Sequence, residues 1–322
     1  MLNPNVNKIT TSLNLTVPHK GANVKTTQKM DRTMRIIGLA FTYLFLVAMA
    51  LVVIFPFYYM IIASAMTEEE IVAGHIWPVA SNLFENLASN YTETLKQFSY
   101  GKYVVNTLVV AFSTTALQLV VTILSAFAFA RLEFRGRDIL FTCFLATMMI
   151  PGEMMTITNY ITMNNLGLVG AQQTRIQAYI AMILPFVSSV FYIYLLRQNF
   201  KQIPNELYLA AKVDGKSDWD YLWKVMVPLA APTLITIVIL AVIGSWNAYV
   251  WPNLITDKKD YWLISVAIRG QALQKEVRPD EFRPQYAWQM CASVLTVVPL
   301  LALFIIFRKY IMRGTGRAGL KG

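Results

Sequence analysis

From residue 36 to residue 67 the chain carries no charged side chain. A helix needs about 20 mainly apolar residues to cross a hydrocarbon core, so this run can span with tilt or extend past the bilayer. Five more apolar runs follow, at residues 103–130, 139–163, 176–196, 233–255 and 285–307. Of the 322 residues, 56% are hydrophobic and only 14% are charged, where a soluble chain carries about a quarter. Helices satisfy their own backbone groups inside lipid and open sheet does not. The expectation is an all-α polytopic membrane protein with six transmembrane helices and both termini cytoplasmic.

Charge sets the orientation. The net charge is +10, and nineteen of the 28 basic residues fall in the first tail, the last tail and the loops placed on one side. That asymmetry is the positive-inside pattern, so the basic excess marks cytoplasmic loops rather than a nucleic-acid surface. Arg131, Arg135 and Arg137 mark the second run's cytoplasmic end. The expected division is a tail at 1–35, a transmembrane domain at 36–311 and a second tail at 312–322. The first tail is polar and basic, without apolar periodicity, and is expected to lack order or lie on the surface. The run after it is too long for the core of a cleavable leader. Ser113, Thr114, Thr115, Ala116 and Ala126 in the second run suit close helix packing.

Two places inside the runs invite a functional reading. Glu153, after Pro151-Gly152, is the one ionisable residue expected deep in a span, and a carboxylate there is a functional hypothesis by default. It can equally serve the backbone groups that Pro151 frees, or sit near an interface. Ser245 to Pro252 is rich in aromatics and amides, with Trp246, Asn247 and Tyr249. Such residues are ordinary interfacial anchors, or they line a sugar path, with rings for the apolar face and an amide for hydroxyls. Pro185 should kink the fourth run, and the charged stretch 257–284 reads as a solvated outer loop.

Several chemistries are excluded. His19 and His75 are the only histidines, so no H-E-x-x-H metal site exists, and no nucleophile elbow occurs. Gly215-Lys216-Ser217 mimics the end of a phosphate loop, but Ala210 stands where its first glycine is needed. Cys143 and Cys291 lie in apolar runs, which argues against a disulfide or metal site.

Residues 203–232 form a charged and aromatic island between two apolar runs. Pro204 suits a first helical position, and Glu206 suits the positive end of the helix dipole. Leu207, Ala210 and Ala211 share one face, and Asp214-Gly215 ends the helix through a left-handed cap. Ser217 caps a second helix on which Trp219, Leu222, Trp223 and Met226 recur at helical spacing, with Pro228 as its end. From periodicity alone, a loop folded onto its own bundle accounts for the stretch as well as a docking element does.

This stretch resembles the EAA loop of permease subunits in importers of the ATP-binding-cassette (ABC) class. Ala210, Ala211, Asp214, Gly215, Val225, Val227 and Pro228 stand at matching places. The glutamate that opens the family pattern is Leu209 here, with Glu206 one turn earlier. From residue 103 onward the chain resembles the carbohydrate branch, of the maltose type, through Asn106-Thr107, Trp246-Asn247, Trp251-Pro252 and Gly319-Leu320-Lys321-Gly322. The resemblance implies the type I permease fold and a heterodimer with a second permease. Its implied partners are two cytoplasmic ATPases that hold ATP and Mg, an extracytoplasmic solute-binding protein and membrane lipid. No cofactor or metal is implied in this chain. It assigns fit against the ATPase to Leu207, Ala210, Ala211, Gly215, Trp219 and Leu222, and polar anchoring to Glu206 and Asp214. Permeation of glycerol phosphate or another small polar solute is the nearest alternative, and a proton-coupled transporter using Glu153 is the alternative of a different class.

Overall fold

The computed structural model describes residues 24–79, 82–269, 273–278 and 281–316. The chain divides into two units, 1–58 and 59–322. In the first unit lies most of α1 (Val24–Ala63), whose apolar side chains from Ile36 to Phe57 are exposed to what would be lipid. Residues 24–35, part of the tail expected to lack order or lie on the surface, are helical and continuous with the span. Once a helix is nucleated each added residue gains a hydrogen bond, and Lys25, Lys29 and Arg32 are good helix formers. The sequence before residue 24 lies outside the described residues.

The second unit opens with α2 (Glu68–Val72), started by a capping box in which Thr67 and Glu70 satisfy each other's backbone N–H. Next comes α3 (Leu83–Gln97). Its Asn90 donates to the carbonyls of Ser64 and Met66, at 3.0 and 2.9 Å, so this segment is tied to the chain before it. The central element is α4 (Tyr100–Arg131). Its small residues Ala111, Thr114, Thr115 and Ala126 are buried, which lets neighbouring backbones approach.

The remaining runs are broken. α5 (Arg137–Ala146) and α6 (Met155–Asn165) are separated by single 3₁₀ turns, and the two halves bend by 83°. α7 (Arg175–Ile183) and α8 (Val190–Gln202) meet at 52°. The kink expected at Pro185 is present, but the helix stops at Val187–Ser189, because Pro185 itself sits in the first positions of a 3₁₀ turn where its missing N–H is harmless. The loop helices α9 (Asn205–Val213) and α10 (Asp218–Tyr221) follow, then a π turn at Leu222–Met226 and α11 (Val227–Leu229). α12 (Ala231–Asn247) and the short α13 (Val250–Ile255) make the fifth run. α14 (Ile264–Arg269), the antiparallel hairpin β1 (Gln274–Arg278) and β2 (Glu281–Pro284), and α15 (Tyr286–Gly316) complete the described chain.

Among the described residues, three helices are individually long and apolar enough to cross a membrane: Ile36–Ala63, Tyr100–Arg131 and Tyr286–Arg308. Each bent pair counted as one span raises the number to six, in line with the expected fold. The stretch expected to be a solvated outer loop is different. Ile264, Val266 and Ala267 of α14 are fully buried, and Leu263 and Ile264 join separate cores, because this apolar tetrad turns back into the bundle between charged flanks.

Asn106 shows how that return is held. It is 2% exposed, donates to the carbonyls of Asp260 and Trp262 at 2.9 and 3.0 Å, and accepts from the Tyr179 hydroxyl at 2.7 Å. Thr107 accepts from the Ile264 N–H at 2.9 Å. One buried amide thus ties α4, α7 and the 260–262 segment together. Replacement by Leu removes three part-buried hydrogen bonds, which costs about 2–3 kcal/mol. Asn106→Leu should lower the melting temperature of the purified protein by several degrees in a thermal-shift measurement, and Tyr179→Phe by a smaller amount.

Candidate functional site

The loop at 203–232 is built from its caps outward. Pro204 is the residue before the first helical turn, not within it: its ψ of 139° is extended, and α9 starts at Asn205. Asp214 ends α9 and Gly215 follows at φ +69°, the left-handed conformation that glycine takes without strain. Ser217 accepts from the Asp220 N–H at 3.1 Å and caps α10.

Beyond α10 the helical face differs from the expected one. Tyr221, Leu222 and Met226 are at most 1% exposed, whereas Trp219 and Trp223 are 61% and 37% exposed and pack edge to face, centroids 5.6 Å apart. The π turn accounts for part of this. It widens the spacing per turn, so Leu222 and Met226 stay on the inner face while Trp223 remains outside. It also explains why Pro228 fails to end the helix: the wider turn relieves the clash with the carbonyl four residues back, and the chain breaks at Ala230 instead. The whole segment Asp218–Leu229 meets α12 at 78°, so it lies nearly across the direction of the span.

Of the residues proposed for coupling, Leu207, Ala210, Ala211 and Asp214 line one groove of about 250 Å³, closed on the other side by Tyr221 and Val225. Glu206, Gly215 and Trp219 are exposed but stand outside it. Leu222 is a correction: at 1% exposure it is packed with Ile123, Phe127, Ile193 and Phe200, so it seats the loop on the bundle. Leu209, in place of the family's glutamate, lines a separate recess with Arg131, Asn205, Tyr208 and Asp218, and Glu206 does not reach that recess.

Two contacts make the loop rigid, and sequence reasoning missed both. Arg131, at the end of α4, donates to the carbonyls of Phe200 (2.9 Å) and Ile203 and to the Asn205 side chain (3.2 Å). It therefore grips the corner between α8 and α9, where carbonyls lose their helical partners. Asp218 accepts from the Tyr208 hydroxyl at 2.7 Å and from Lys212 at 2.8 Å, which braces α9 against α10 across the Gly215 turn. The only sequence signal for the brace is the i, i+4 spacing of Tyr208 and Lys212 opposite the acidic start of α10.

The hydrogen bonds from Lys212 and then from Tyr208 hold the Asp218 carboxyl below the usual carboxylate range. The same ion pair holds the Lys212 ammonium above its ordinary value. A depressed carboxylate stabilises above its ordinary value and loses that effect as pH falls through its lowered one. A raised lysine loses its effect only as pH rises through its raised value. The brace therefore persists unchanged across neutral pH.

Between α4, the α7–α8 break and the α12–α13 break lies a cavity of about 310 Å³. Its walls include Thr114 and Gln118 of α4, Phe186, Ser188 and Ser189 at the α7–α8 break, Tyr192, and Ser245, Ala248 and Trp251 around the α12–α13 break. Gln118 donates to the freed Phe186 carbonyl at 3.0 Å, Trp251 to the Ala181 carbonyl at 3.1 Å, and Ser265 to the Ala248 carbonyl. The pathway residues expected from sequence fall elsewhere. Trp246 is 3% exposed and packed with Phe98, Tyr103 and Ile264. Asn247 is exposed, and Tyr249 lies under the Arg269 guanidinium, 4.6 Å from its ring centre. Glu153 is exposed at the α5–α6 bend and does not line the cavity. Of the segment 245–252, Ser245, Ala248 and Trp251, three apart, line the cavity, and Trp246 and Tyr249 do not.

A mainly helical bundle with broken apolar spans, a cavity between two of the breaks and a braced loop is the architecture of a polytopic membrane protein. Residues 118–317 match the binding-protein-dependent transport system inner membrane component family, and the chain belongs to it. It is similar to the diacetylchitobiose uptake system permease protein NgcG of Streptomyces coelicolor, 27% identical over 84% of this chain and 85% of that one. The lactose transport system permease protein LacG of Rhizobium radiobacter is 28% identical over 81% of this chain and 89% of its own length. The sn-glycerol-3-phosphate transport system permease protein UgpE of Yersinia pestis is 25% identical over 85% and 94%. A bacterial ABC transporter involved in import of the acidic polysaccharide alginate shares the fold, with TM-score 0.72, 23% identity, and coverage of 87% of this chain and 98% of that one. The protein is thus an inner-membrane permease component with the fold of ABC importers.

Asp218→Asn weakens the brace from Lys212 while keeping the shape. Limited proteolysis at pH 7 should cut the 212–217 turn several-fold faster in the variant, with the melting temperature of the bundle little changed.

Proposed function

We propose that this chain is one of two membrane-spanning halves of an ATP-driven importer for a sugar or oligosaccharide, delivered by an extracytoplasmic binding protein. The observation that carries the reading is similarity along more than four-fifths of the chain to two sugar-uptake permeases. The loop supports the rest. Its exposed groove, with alanines on its floor, suits the close approach of a partner, and its second helix lies across the span, as a lever would.

In this reading two cytoplasmic ATPases hold ATP and Mg, and this chain is not itself catalytic. The ATPases grip Leu207, Ala210 and Ala211, with Glu206 and Asp214 as polar anchors and Trp219 and Gly215 at the margin. Closure of the ATPase pair on ATP then turns the loop, and Leu222, Tyr221 and Met226 pass the motion into α4 and α8. A shift from 1:99 to 99:1 between inward- and outward-open states takes about 5.5 kcal/mol of differential binding. A loop held by the Arg131 clamp and the Asp218 brace can transmit that without yielding. A second permease completes the path. The glycerol-phosphate alternative rests on the weaker similarity to UgpE. A proton-coupled mechanism through Glu153 has little support, because that carboxyl stands outside the cavity.

Ala210→Trp fills the groove without touching the bundle. In membranes carrying the whole transporter it should leave the amount of this chain unchanged, release the ATPase subunits on purification, and cut sugar uptake at least about ten-fold. Full uptake with the ATPases still bound would overturn the coupling assignment.

A further inference from the structure

Trp219 and Trp223 are 61% and 37% exposed, and neither the core beneath the loop nor the groove beside it holds them. The segment that carries them, Asp218–Leu229, has three faces. Leu222 and Met226 enter the core. Asp220, Lys224 and Val225 line the groove. The third face holds the two indoles, packed edge to face with centroids 5.6 Å apart. Neither indole N–H has a hydrogen-bond partner among the described residues.

The level of this face in the membrane follows from the span it adjoins. α12 and α13 have 17 and 6 residues, about 26 and 9 Å of rise, enough together for the roughly 30 Å hydrocarbon core. Ala230 alone separates α12 from the segment, which meets it at 78°. The segment therefore lies at the cytoplasmic edge of the hydrocarbon and close to the membrane plane. One side points into the bundle and another opens on the groove, so the indole face lies to the side, at headgroup depth. Exposed apolar surface continues from it through Pro228 and Leu229 to the foot of the span. An indole has an apolar body and one polar N–H, which suits a layer that is oily on one side and wet on the other. The acidic residues beside the pair are already matched, Asp218 with Lys212 and Asp220 with Lys224. The face thus offers a partner apolar surface and two donors, and little charge.

We infer that Trp219 and Trp223 form an interfacial anchor, with both indoles seated among the phospholipid headgroups of the cytoplasmic leaflet. The anchor holds the segment at a fixed depth while the groove beside it stays open to the ATPase. A push on the groove then turns the loop about this edge and does not simply shift it toward or away from the bilayer. This moves Trp219 from the margin of the ATPase contact to the lipid side. The lipid contact stands without the importer reading; its consequence for coupling rests on that reading.

The test uses the assembled transporter in proteoliposomes of phosphatidylcholine brominated either near the headgroup or near the chain end. Tryptophan fluorescence is compared between the natural protein and the double variant Trp219→Phe, Trp223→Phe. The difference between the two isolates the pair from the other five tryptophans of this chain and from those of its partners. That difference signal should be quenched at least about two-fold more by the shallow bromines than by the deep ones, as for an interfacial ring. A second double variant, Trp219→Gln with Trp223→Gln, removes the apolar rings without touching core or groove. It should keep both the ATPases and the second permease on purification, and lose sugar uptake per ATP hydrolysed several-fold, with the Phe pair retaining most of it. A difference signal that no brominated lipid quenches would overturn the anchor. Loss of the ATPases from the Gln variant would place the face against them instead, and loss of the second permease would place it in that interface. Full coupling in the Gln variant would overturn the anchor's role. Uptake that needs no ATP would sink the importer reading alone, and the quenching comparison would still decide the lipid contact.

Discussion

Every backbone polar group placed inside a bilayer must find its partner within the protein. In this chain the breaks in the spans mark the places where that rule is met by side chains in place of the helix. Gln118 takes the Phe186 carbonyl, Trp251 the Ala181 carbonyl, and Ser265 the Ala248 carbonyl. Arg131 takes those of Phe200 and Ile203. Each patch reaches across from another element, so satisfying the backbone also fixes how the elements sit together. One set of these contacts surrounds the cavity and the other holds the 203–232 loop.

The cavity and the loop share one structural member. α4 packs against both α8 and α12. It carries Thr114 and Gln118 at the cavity and ends in Arg131 at the loop. The core beneath the loop holds Ile123 and Phe127 of α4 together with Tyr221, Leu222 and Met226. A rotation of the loop helices therefore reaches the cavity wall through close-packed side chains, which transmit displacement because they leave little space to absorb it.

Much of the fold was legible. Uncharged runs and basic loops located the spans, and the turn chemistry of Asp214-Gly215 and Ser217 located both loop helices. What the sequence hid has a common physical cause. Hydropathy registers that a run is apolar, not that it bends by 83° or 52°, since the residues that patch a break are distant in sequence, as Gln118 is from Phe186, 68 positions away. The π turn left Trp223 outside, beside the exposed Trp219 that precedes it, against the expected face, and no local signal marks such a turn. Trp246 drew notice as an aromatic beside an amide, while the inward stripe of Ser245, Ala248 and Trp251 was visible only as a spacing of three. Asn106-Thr107 stood out by resemblance, and the structure gives the reason: both residues hold the returning 260–264 segment.

The central claim is that solute moves through this chain because an ATPase turns its braced loop. The most direct test is uptake into proteoliposomes of the complete transporter, with receptor outside and either ATP inside or an imposed proton gradient alone. The account predicts sugar accumulation with ATP and receptor together, and none from the gradient. Accumulation driven by the gradient in vesicles free of nucleotide would contradict it.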